Sequence, residues 1–281
     1  MSRRCEKIVV FDLDETLGAF VELGIFWDAL QNYFNNKLKK KDFFDIIDLY
    51  PEFLRPNIIS ILNYLKHKKS ANVCNKVMIY TNNQGPKKWT YDIKDYFEHK
   101  LNTKLFDQVI CAFKVRGKPV ELDRTTHEKT YSDLLRCTKI PTDAKICFLD
   151  DQEHPSMEND MVYYINIKPY THDLPYELMV QRLIDSNIPC AKRISNPNTL
   201  RLSAIPYMKQ YNYNVKKKDR LEMELDRVLS KKIMYHLQDF FKKSLDDINI
   251  DKLSRPHNST IKKKIKIKKS KKKRKNKTIK L

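Results

Sequence analysis

Short, continuous apolar runs separated by helical patterns are the feature that most limits how this chain can fold. Each run is rich in Val, Ile, Phe and Tyr, and continuous runs of this kind are typical of strands buried on both faces of a parallel sheet. They are KIVVFDL at 7–13, KVMIYT at 76–81, FDQVICAF at 106–113, KICFLD at 145–150 and MVYYINI at 161–167. The alternation of strands and helices predicts an α/β fold with a doubly wound, Rossmann-like parallel sheet.

The rest of the chain predicts additions to one α/β domain. We assign that domain to residues 1–185, with an aromatic-rich insert at 18–54 that has the composition of a flap or small lid. Residues 186–215 resemble a linker, and residues 216–250 repeat apolar side chains at helical spacing. That amphipathic helix can pack on the domain or bind a partner. Residues 251–281 form a lysine-rich tail with too little apolar content to fold, so we expect it to be disordered.

The positive charge of the chain is concentrated in this tail. The formal net charge is +20, and residues 254–281 hold twelve Lys and two Arg with no Asp or Glu. Such a tail can act as a nuclear localisation signal or bind the phosphate backbone of nucleic acid, and a third reading is that it only aids solubility. Nucleic acid is therefore an expected partner of residues 255–281 under the second reading.

Composition also indicates the cellular compartment in which we expect the protein. The six cysteines lie far apart, without a C-x-x-C pair, which favours reduced thiols in the core. The chain lacks the apolar stretch of a signal peptide, and no apolar run approaches the ~18 residues needed to span a bilayer. We expect a soluble intracellular protein without a membrane partner. If the tail acts as a localisation signal, the protein would be in the nucleus or in a viral factory. The sequence does not indicate the oligomeric state.

The first strand ends in two aspartates. Asp12 and Asp14, in FDLDETL, are two residues apart and share one face if the strand stays extended. Open α/β sheets bind ligands at the carboxyl ends of their strands. Two carboxylates this close repel each other unless a cation neutralises them or one is protonated, and phosphoryl transfer uses both conditions. Aspartates also serve as turn or cap residues after strands, so the pair alone leaves both roles open.

Two more strands end in polar residues at the same predicted edge. IYTNN places Thr81 and Asn82 after the second strand, where a hydroxyl and backbone N–H groups can hold phosphate oxygens. FLDD adds Asp150 and Asp151 after a later strand. Three strands that each end this way favour a phosphate site with a bound Mg²⁺ over three unrelated turns.

FDLDETL, YTN and FLDD resemble motifs I, II and IV of the haloacid dehalogenase superfamily of phosphohydrolases. Glu15 stands where most members have Gly, and this variant is similar to the phosphatases that act on the C-terminal domain of RNA polymerase II and to the NLI-interacting-factor-like small phosphatases. The helix RPNIISILNYLK before motif II is similar as well. The resemblance covers residues 7 to about 180. It implies a fold of that type, Mg²⁺ as cofactor and an aspartyl-phosphate intermediate.

The resemblance also implies roles for single residues. Asp12 would be the nucleophile, and Asp14 the acid and base, with its backbone carbonyl on Mg²⁺. Thr81 and Asn82 would bind the phosphoryl group. Asp150 would complete the metal site, with Asp151 beside it or acting through water. The polymerase-directed phosphatases usually have Asn at the position of Asp151, so the chain departs there from the narrower group and follows the wider superfamily.

Motif III supplies a cation that screens the charge between nucleophile and phosphate. Lys129, which we expect to open the helix EKTYSDLLRC, fits the order of the family best, and it would be both catalytic and phosphate-binding. Lys118, in the RGKP turn, is the competitor. His154 follows motif IV and could contact substrate, but we interpret it as a loop residue outside the catalytic set.

The spacing of the motifs leaves no room for a large lid domain, so the resemblance implies an open site. Open sites admit phosphate groups displayed on macromolecules, which favours a phosphorylated protein as the substrate and a serine/threonine protein phosphatase as the function. A nucleic-acid-end phosphatase is the first alternative. The second is an inactive scaffold that binds nucleic acid through its tail.

Overall fold

The computed structural model describes residues 5–211 and 218–242, together with the backbone of Thr278–Lys280. Its helices are α1 (Phe20–Tyr33), α2 (Lys40–Leu49), α3 (Ile58–Ser70), α4 (Lys87–Leu101), α5 (Tyr131–Thr138), α6 (Tyr176–Asp185), α7 (Pro197–Lys209) and α8 (Arg220–Lys242). Its strands are β1 (Lys7–Phe11), β2 (Lys76–Tyr80), β3 (Gln108–Ile110), β4 (Lys114–Val115), β5 (Lys118–Pro119), β6 (Lys145–Asp150), β7 (Val162–Asn166) and β8 (Thr278–Lys280).

A parallel sheet in the order β3-β2-β1-β6-β7 forms the centre of the molecule. β1 lies in the middle, and Val9 has Val77 of β2 and Cys147 of β6 as its neighbours. The predicted α/β fold with a Rossmann-like parallel sheet is confirmed, and each of the five apolar runs contains one of these strands. Because the strands are parallel, their carboxyl ends lie at one edge of the sheet.

The central strand is buried on both faces, as its continuous apolar sequence predicts. Val9 and Phe11 belong to the larger core, and Ile8 and Val10 belong to a smaller core that includes Leu134 of α5. Burying a side chain of this size stabilises the fold by about 1.5–3 kcal/mol. The strand that leads to Asp12 is therefore rigidly held, and a charged side chain at either face would disrupt it.

Residues 18–54 pack into the domain instead of forming the expected flap. They fold as α1 and α2, and their apolar side chains belong to the larger core. Phe43 of α2 lies edge-on against Trp27 of α1 and Trp89 of α4, with ring centroids 5.0 and 5.2 Å apart. The aromatic content of this segment thus reflects packing between helices, which sequence composition does not distinguish from a lid.

The expected linker at 186–215 is helical over much of its described part, so the domain does not end at residue 185. α7 begins after Asn196, whose side chain accepts hydrogen bonds from the N–H groups of Asn198 and Thr199. Its buried residues are Leu200, Ala204 and Met208, which repeat every four residues and belong to the larger core. This regular spacing marks a packed helix, although the flanking Asn and Pro residues are typical of a loop.

The predicted helix at 216–250 is observed as α8, from Arg220 to Lys242. Its apolar residues divide into two groups. The buried ones pack on the domain and are Leu229, Ile233, Leu237, Phe240 and Phe241, whereas Leu221, Leu225 and Val228 are exposed. α8 therefore docks on the domain mainly through its C-terminal half, as the packing interpretation predicts.

Most of the predicted disordered tail, 251–277, lies outside the described residues. The structure does include β8, which pairs in parallel with β7 at the edge of the sheet. An edge strand offers unpaired backbone groups that a short extended segment can satisfy, even when its composition is polar. In the described part of the chain, none of the helices combines the length and apolar character that a membrane crossing requires.

Candidate active site

The strand ends bring the predicted site residues to one edge of the sheet. Asp12 directly follows β1, Thr81 follows β2, and Asp150 is the last residue of β6. The sheet hydrogen bonds continue past the strands, because the N–H of Asp12 donates to the carbonyl of Leu149 at 2.8 Å. The N–H of Thr81 likewise donates to the carbonyl of Ile110 at 2.9 Å. The backbone of these residues is therefore fixed by the sheet.

Lys129 joins two of these carboxylates. Its Nζ forms an ion pair with Oδ1 of Asp12 and donates to Oδ2 of Asp150 at 2.7 Å. Lys129 is 2% exposed and lies just before α5, whose N-cap is Thr130, so it precedes the helix that it was expected to open. Lys118, the competing lysine, lies exposed in β5.

In the pair of Asp12 and Lys129, burial and the charge of the partner shift each pKa in opposite directions. Burial raises the pKa of Asp12 well above its ordinary value; Lys129 opposes that rise, and Asp150 and Asp14 add to it. Burial alone would lower the pKa of Lys129, but the charges of Asp12 and Asp150 outweigh it and raise that pKa. Lys129 is therefore a permanent cation in a group of carboxylates that would otherwise repel one another.

Asp150 is held from several sides. Its Oδ1 accepts from the N–H of Gln152 at 2.9 Å, and Nε2 of His154 lies 3.4 Å from Oδ2 without the alignment of a hydrogen bond. Burial raises the pKa of Asp150, but Lys129 and His154 outweigh it and the pKa falls below its ordinary value. His154 is buried against Phe148, in keeping with the structural role expected of it, although it also contacts a site carboxylate.

Asp14 is oriented by Asn83 rather than by Asn82. The Nδ2 of Asn83 donates to Oδ2 of Asp14 at 2.7 Å, and its N–H donates to Oγ1 of Thr81 at 3.0 Å. The other oxygen of Asp14, Oδ1, has no hydrogen-bond partner within the described residues. Burial raises the pKa of Asp14, and Asn83 and Lys129 oppose the rise. The carbonyl of Asn82 accepts from Gln84, and its side chain makes no contact with the carboxylates in the described chain.

Asp12, Asp150 and Asp151 form a group that could hold a metal ion. One carboxylate oxygen from each lies within 4.8 Å of the others. Asp151 accepts from Oγ1 of Thr16 at 3.2 Å, and burial raises its pKa, so its charge is also unfavourable without a cation. An all-oxygen donor set of this kind suits Mg²⁺. The Asp14 side chain is not part of this group, so the expected role of its backbone carbonyl stays a prediction.

A buried arginine holds the strand ends on the β2 side. Arg124 is 2% exposed, and its Nη1 donates to the carbonyls of Cys111 at 2.9 Å and Thr81 at 3.3 Å. Its guanidinium lies over the ring of Tyr80, 4.8 Å from the centroid. Cys111 follows β3 and Thr81 follows β2, so Arg124 ties the two strand ends together.

The same arginine also fixes the segment that carries the site lysine. Nη2 of Arg124 donates to the carbonyls of His127 at 3.0 Å and Glu128 at 3.2 Å, directly before Lys129. Arg124 therefore sets the position of Thr81 relative to Lys129, although it touches neither carboxylate of the ion-pair group.

A second buried arginine, Arg55, holds the loop after β1. Its Nε donates to the carbonyl of Thr16 at 2.6 Å, and Nη2 donates to the carbonyls of Glu15 and Lys168. Glu15 adopts a left-handed backbone with φ of 56°, which costs about 1–3 kcal/mol for a residue other than glycine. The N–H of Tyr170 donates to the Glu15 carbonyl as well, so two contacts stabilise this conformation next to Asp14.

The sequence did not indicate three of these residues. Asn83 is the second Asn of YTNN and could have been considered with Asn82. Arg124 and Arg55 have no signal of their own in a chain with 55 Lys and Arg residues, because most such residues are solvated. Only the fold reveals that these two are buried.

No protein-family model matches the chain. No curated protein matches it either. The assignment of a function therefore depends on the geometry of the site together with the motifs quoted above.

Proposed function

We propose that this protein is a Mg²⁺-dependent phosphomonoester hydrolase of the haloacid dehalogenase type, with Asp12 as the nucleophile. The observation that carries the proposal is the buried group of Asp12, Asp150 and Asp151, bridged on one side by Lys129. A carboxylate positioned against a fixed cation is what nucleophilic attack on a phosphoryl group requires, because both partners are negatively charged.

Asp12, Asp150 and Asp151, with the backbone carbonyl of Asp14, would hold the Mg²⁺. When bound, the ion neutralises charge on the phosphoryl oxygens and on the carboxylates. The raised pKa values of Asp12 and Asp151 support this fit, since both groups gain from a nearby cation. Lys129 supplies one positive charge, which leaves the four carboxylates of the site with a net negative charge for an ion to balance.

The reaction proceeds in two steps on the residues of the chain. In the first, an Oδ atom of Asp12 attacks phosphorus while the bond from phosphorus to the ester oxygen breaks, and Asp14 donates a proton to that oxygen. In the second, water attacks phosphorus, Asp14 takes its proton, and the bond from phosphorus to Asp12 breaks to release phosphate. The Thr81 hydroxyl and Lys129 hold the phosphoryl oxygens throughout.

The raised pKa of Asp14 suits it to this exchange. Burial favours its protonated form, and a carboxylic acid that keeps its proton closer to neutral pH is a better general acid. Its unpaired Oδ1 is the atom free to carry that proton. Asn83 holds the other oxygen, so the acid group is oriented before substrate arrives.

A phosphoserine or phosphothreonine side chain of a protein is the substrate that we favour. The segment 18–54, which the sequence suggested as a cover, is packed into the core, and open sites admit phosphate groups on macromolecules. A nucleic-acid-end phosphatase is the second candidate, favoured by the charge of residues 254–281. Hydrolysis of a phosphopeptide, compared with that of an oligonucleotide carrying a terminal phosphate, distinguishes the two.

The first experiment measures hydrolysis of p-nitrophenyl phosphate with and without Mg²⁺. Wild type should turn over only with the ion, and Asp12→Asn should abolish turnover. Asp160→Asn is the matched control, because it makes the same chemical change at an exposed residue just before β7, at the opposite edge of the sheet. Absence of turnover in folded wild type would instead support the inactive scaffold.

A further inference from the structure

A small pocket opens beside the candidate site on the β7 side. It is lined by Glu15, Ala19, Val21, Glu22, Thr171 and His172, with about 220 Å³ of empty space open to solvent. Glu15 directly follows Asp14, and Thr171 and His172 lie in the loop after β7. The pocket is therefore at the same edge of the sheet as the carboxylates but outside their group.

Glu22 gives this pocket an unsatisfied polar atom. Glu22 is 2% exposed, and its Oε2 accepts from the N–H of Leu174 at 3.1 Å. Its Oε1 is buried and has no hydrogen-bond partner among the residues described. Burial raises the pKa of Glu22 to about 8; the Leu174 N–H opposes the rise and Asp173 adds to it. A buried carboxyl oxygen without a hydrogen-bond donor is unusual, and a bound ligand with an N–H or O–H group would supply one.

Two carboxyl side chains, those of Glu15 and Glu22, line the pocket. Of the cationic residues nearby, Arg55 donates to backbone carbonyls, and burial lowers the pKa of His172, which leaves it neutral near pH 7. This arrangement stands in contrast to a chain with a formal charge of +20.

The geometry favours an organic cation over a metal ion. Three carboxylate oxygens within 4.8 Å of one another occur in the described residues at Asp12, Asp150 and Asp151, and not at this pocket. The pocket has room for one group about the size of a water molecule. An ammonium group has that size, and its positive charge and N–H donors would favour the ionised form of Glu22, whose Oε1 has no other donor in the described residues.

We propose that this pocket binds the ammonium group of a lysine that lies close to the phosphorylated residue of the substrate. The proposal rests on the proposed function and narrows it to phosphoproteins with a basic residue beside the phosphate. The phosphates of a nucleic acid strand bring no such cation to Glu22.

The test uses phosphoserine peptides of neutral sequence in which one lysine is moved from position to position around the phosphoserine. For wild type, lysine at one position should raise kcat/KM about tenfold over norleucine, through a lower KM. Glu22→Gln should remove this preference. Asp28→Asn, an exposed change on the same helix, should keep it. Equal kcat/KM at every position, or a preference that persists in Glu22→Gln, would overturn the proposal.

A second variant guards against a folding defect in Glu22→Gln. Thr171→Trp adds bulk at an exposed lining residue without changing charge, so it should fold and also remove the lysine preference. A preference retained by Thr171→Trp at full strength would contradict the proposed pocket.

Failure of the pocket and failure of the catalytic proposal give different results. Absence of Asp12-dependent turnover of p-nitrophenyl phosphate would contradict only the proposed hydrolase activity. Binding of n-butylammonium concerns only the pocket: it should shift the NMR signals of Thr171 and His172 saturably in wild type but not in Glu22→Gln. Absence of a saturable shift in wild type would identify the pocket as a water site and overturn the proposal.

Discussion

Two buried arginines hold opposite sides of the candidate site, and they differ in the groups that lie next to them. Arg124, on the β2 side, donates to four backbone carbonyls and stacks on Tyr80, and in the described chain it has no carboxylate partner. Arg55, on the β7 side, also donates to carbonyls. Burial lowers its pKa to about 10, and the charges of Asp226 and Asp151 oppose that change.

The two sides therefore have different expected roles: we expect phosphate on the β2 side, next to Arg124, and carboxylates surround Arg55 on the β7 side. The charge of Arg124 adds to that of Lys129 next to Thr81, where the proposed function places an anion. The charge of Arg55 is offset by Asp226 of α8, which also pairs with Lys168 at 3.7 Å and with Lys218. Under the proposed function the first side attracts phosphate, and the second links the loop of Asp14 to the C-terminal helix.

Lys129→Met should have the largest effect, because it removes the cation between the two sides. Breaking a buried ion pair costs about 3–5 kcal/mol of unfolding free energy, and loss of the screening charge should reduce kcat by about 10²–10³-fold. Steady-state kinetics and chemical denaturation measure both effects. Lys118→Met, at an exposed lysine, is the matched control and should change neither; a loss of turnover in that variant alone would reassign motif III.

The pH dependence of the same variant gives an independent check. Without Lys129, burial, Asp150 and Asp14 all raise the pKa of Asp12, so the folded variant keeps a proton that the unfolded chain releases near pH ~4. Its stability should be greatest in acid and fall as the pH rises towards neutrality. Equal stability of Lys129→Met at pH 4 and pH 7 would contradict this account of the pair.

Arg124→Lys should have the second largest effect. A lysine cannot reach four carbonyls at once, so the segment of Lys129 would move relative to Thr81, and displacements of about 1 Å cost on the order of 10²-fold in kcat/KM. Guanidinium ion should partly restore activity to Arg124→Ala. Leu65→Ala, a buried change in α3, controls for lost stability and should not be rescued. Unchanged kcat/KM in Arg124→Lys would show that backbone contacts alone hold this side.

Asp226→Asn tests the other side and should have a smaller effect on activity. It removes the carboxylate that balances Arg55 and Lys218, so we expect a loss of about 1–3 kcal/mol in unfolding free energy. kcat should change by less than about threefold, because the carbonyl contacts of Arg55 remain. A drop in kcat as large as that of Arg124→Lys would mean that both arginines position the site equally.

Glu22→Gln should have the smallest effect on stability and on turnover of p-nitrophenyl phosphate, and its effect on stability should be a change in pH dependence. The folded pKa of about 8 lies above the unfolded value, so the ionised form is disfavoured in the folded state. Wild type should therefore lose stability as the pH rises from about 4.5 to about 8, and the variant should lose less. Thermal melts at pH 5 and pH 8 measure this, and parallel behaviour of the two proteins would refute the raised pKa.

The sequence predicted the sheet and the strand ends because both depend on local patterns. Continuous apolar runs identify buried strands, and the residues that follow them lie at a known edge, so Asp12, Thr81 and Asp150 were placed correctly. Lys129 was chosen over Lys118 from the order of the motifs, and the structure brings it to the carboxylates. These inferences need no knowledge of side-chain packing.

What the sequence missed depends on tertiary packing. The aromatic residues of 18–54 look the same in a lid and in a core, and the helix at Pro197–Lys209 is hidden among residues typical of loops. Arg55 and Arg124 are recognisable only from their burial, since their partners are backbone carbonyls that every residue possesses. Asn83 differs from Asn82 only in the direction that the turn gives its side chain.

The position of β1 at the centre of the sheet has a consequence for how the molecule is made. The ion pair of Asp12 and Lys129 closes a separation of 117 residues, and β1 obtains both of its sheet neighbours only when β2 and β6 are present. During synthesis β1 is made before β2 and β6 and stays without its sheet neighbours until both have followed. Contacts between segments so distant along the chain form slowly. A nascent or truncated chain that ends before β6 would lack the strand that fixes Asp12, the proposed nucleophile, next to Lys129, so under the proposed function we expect hydrolysis to begin only after the domain has closed.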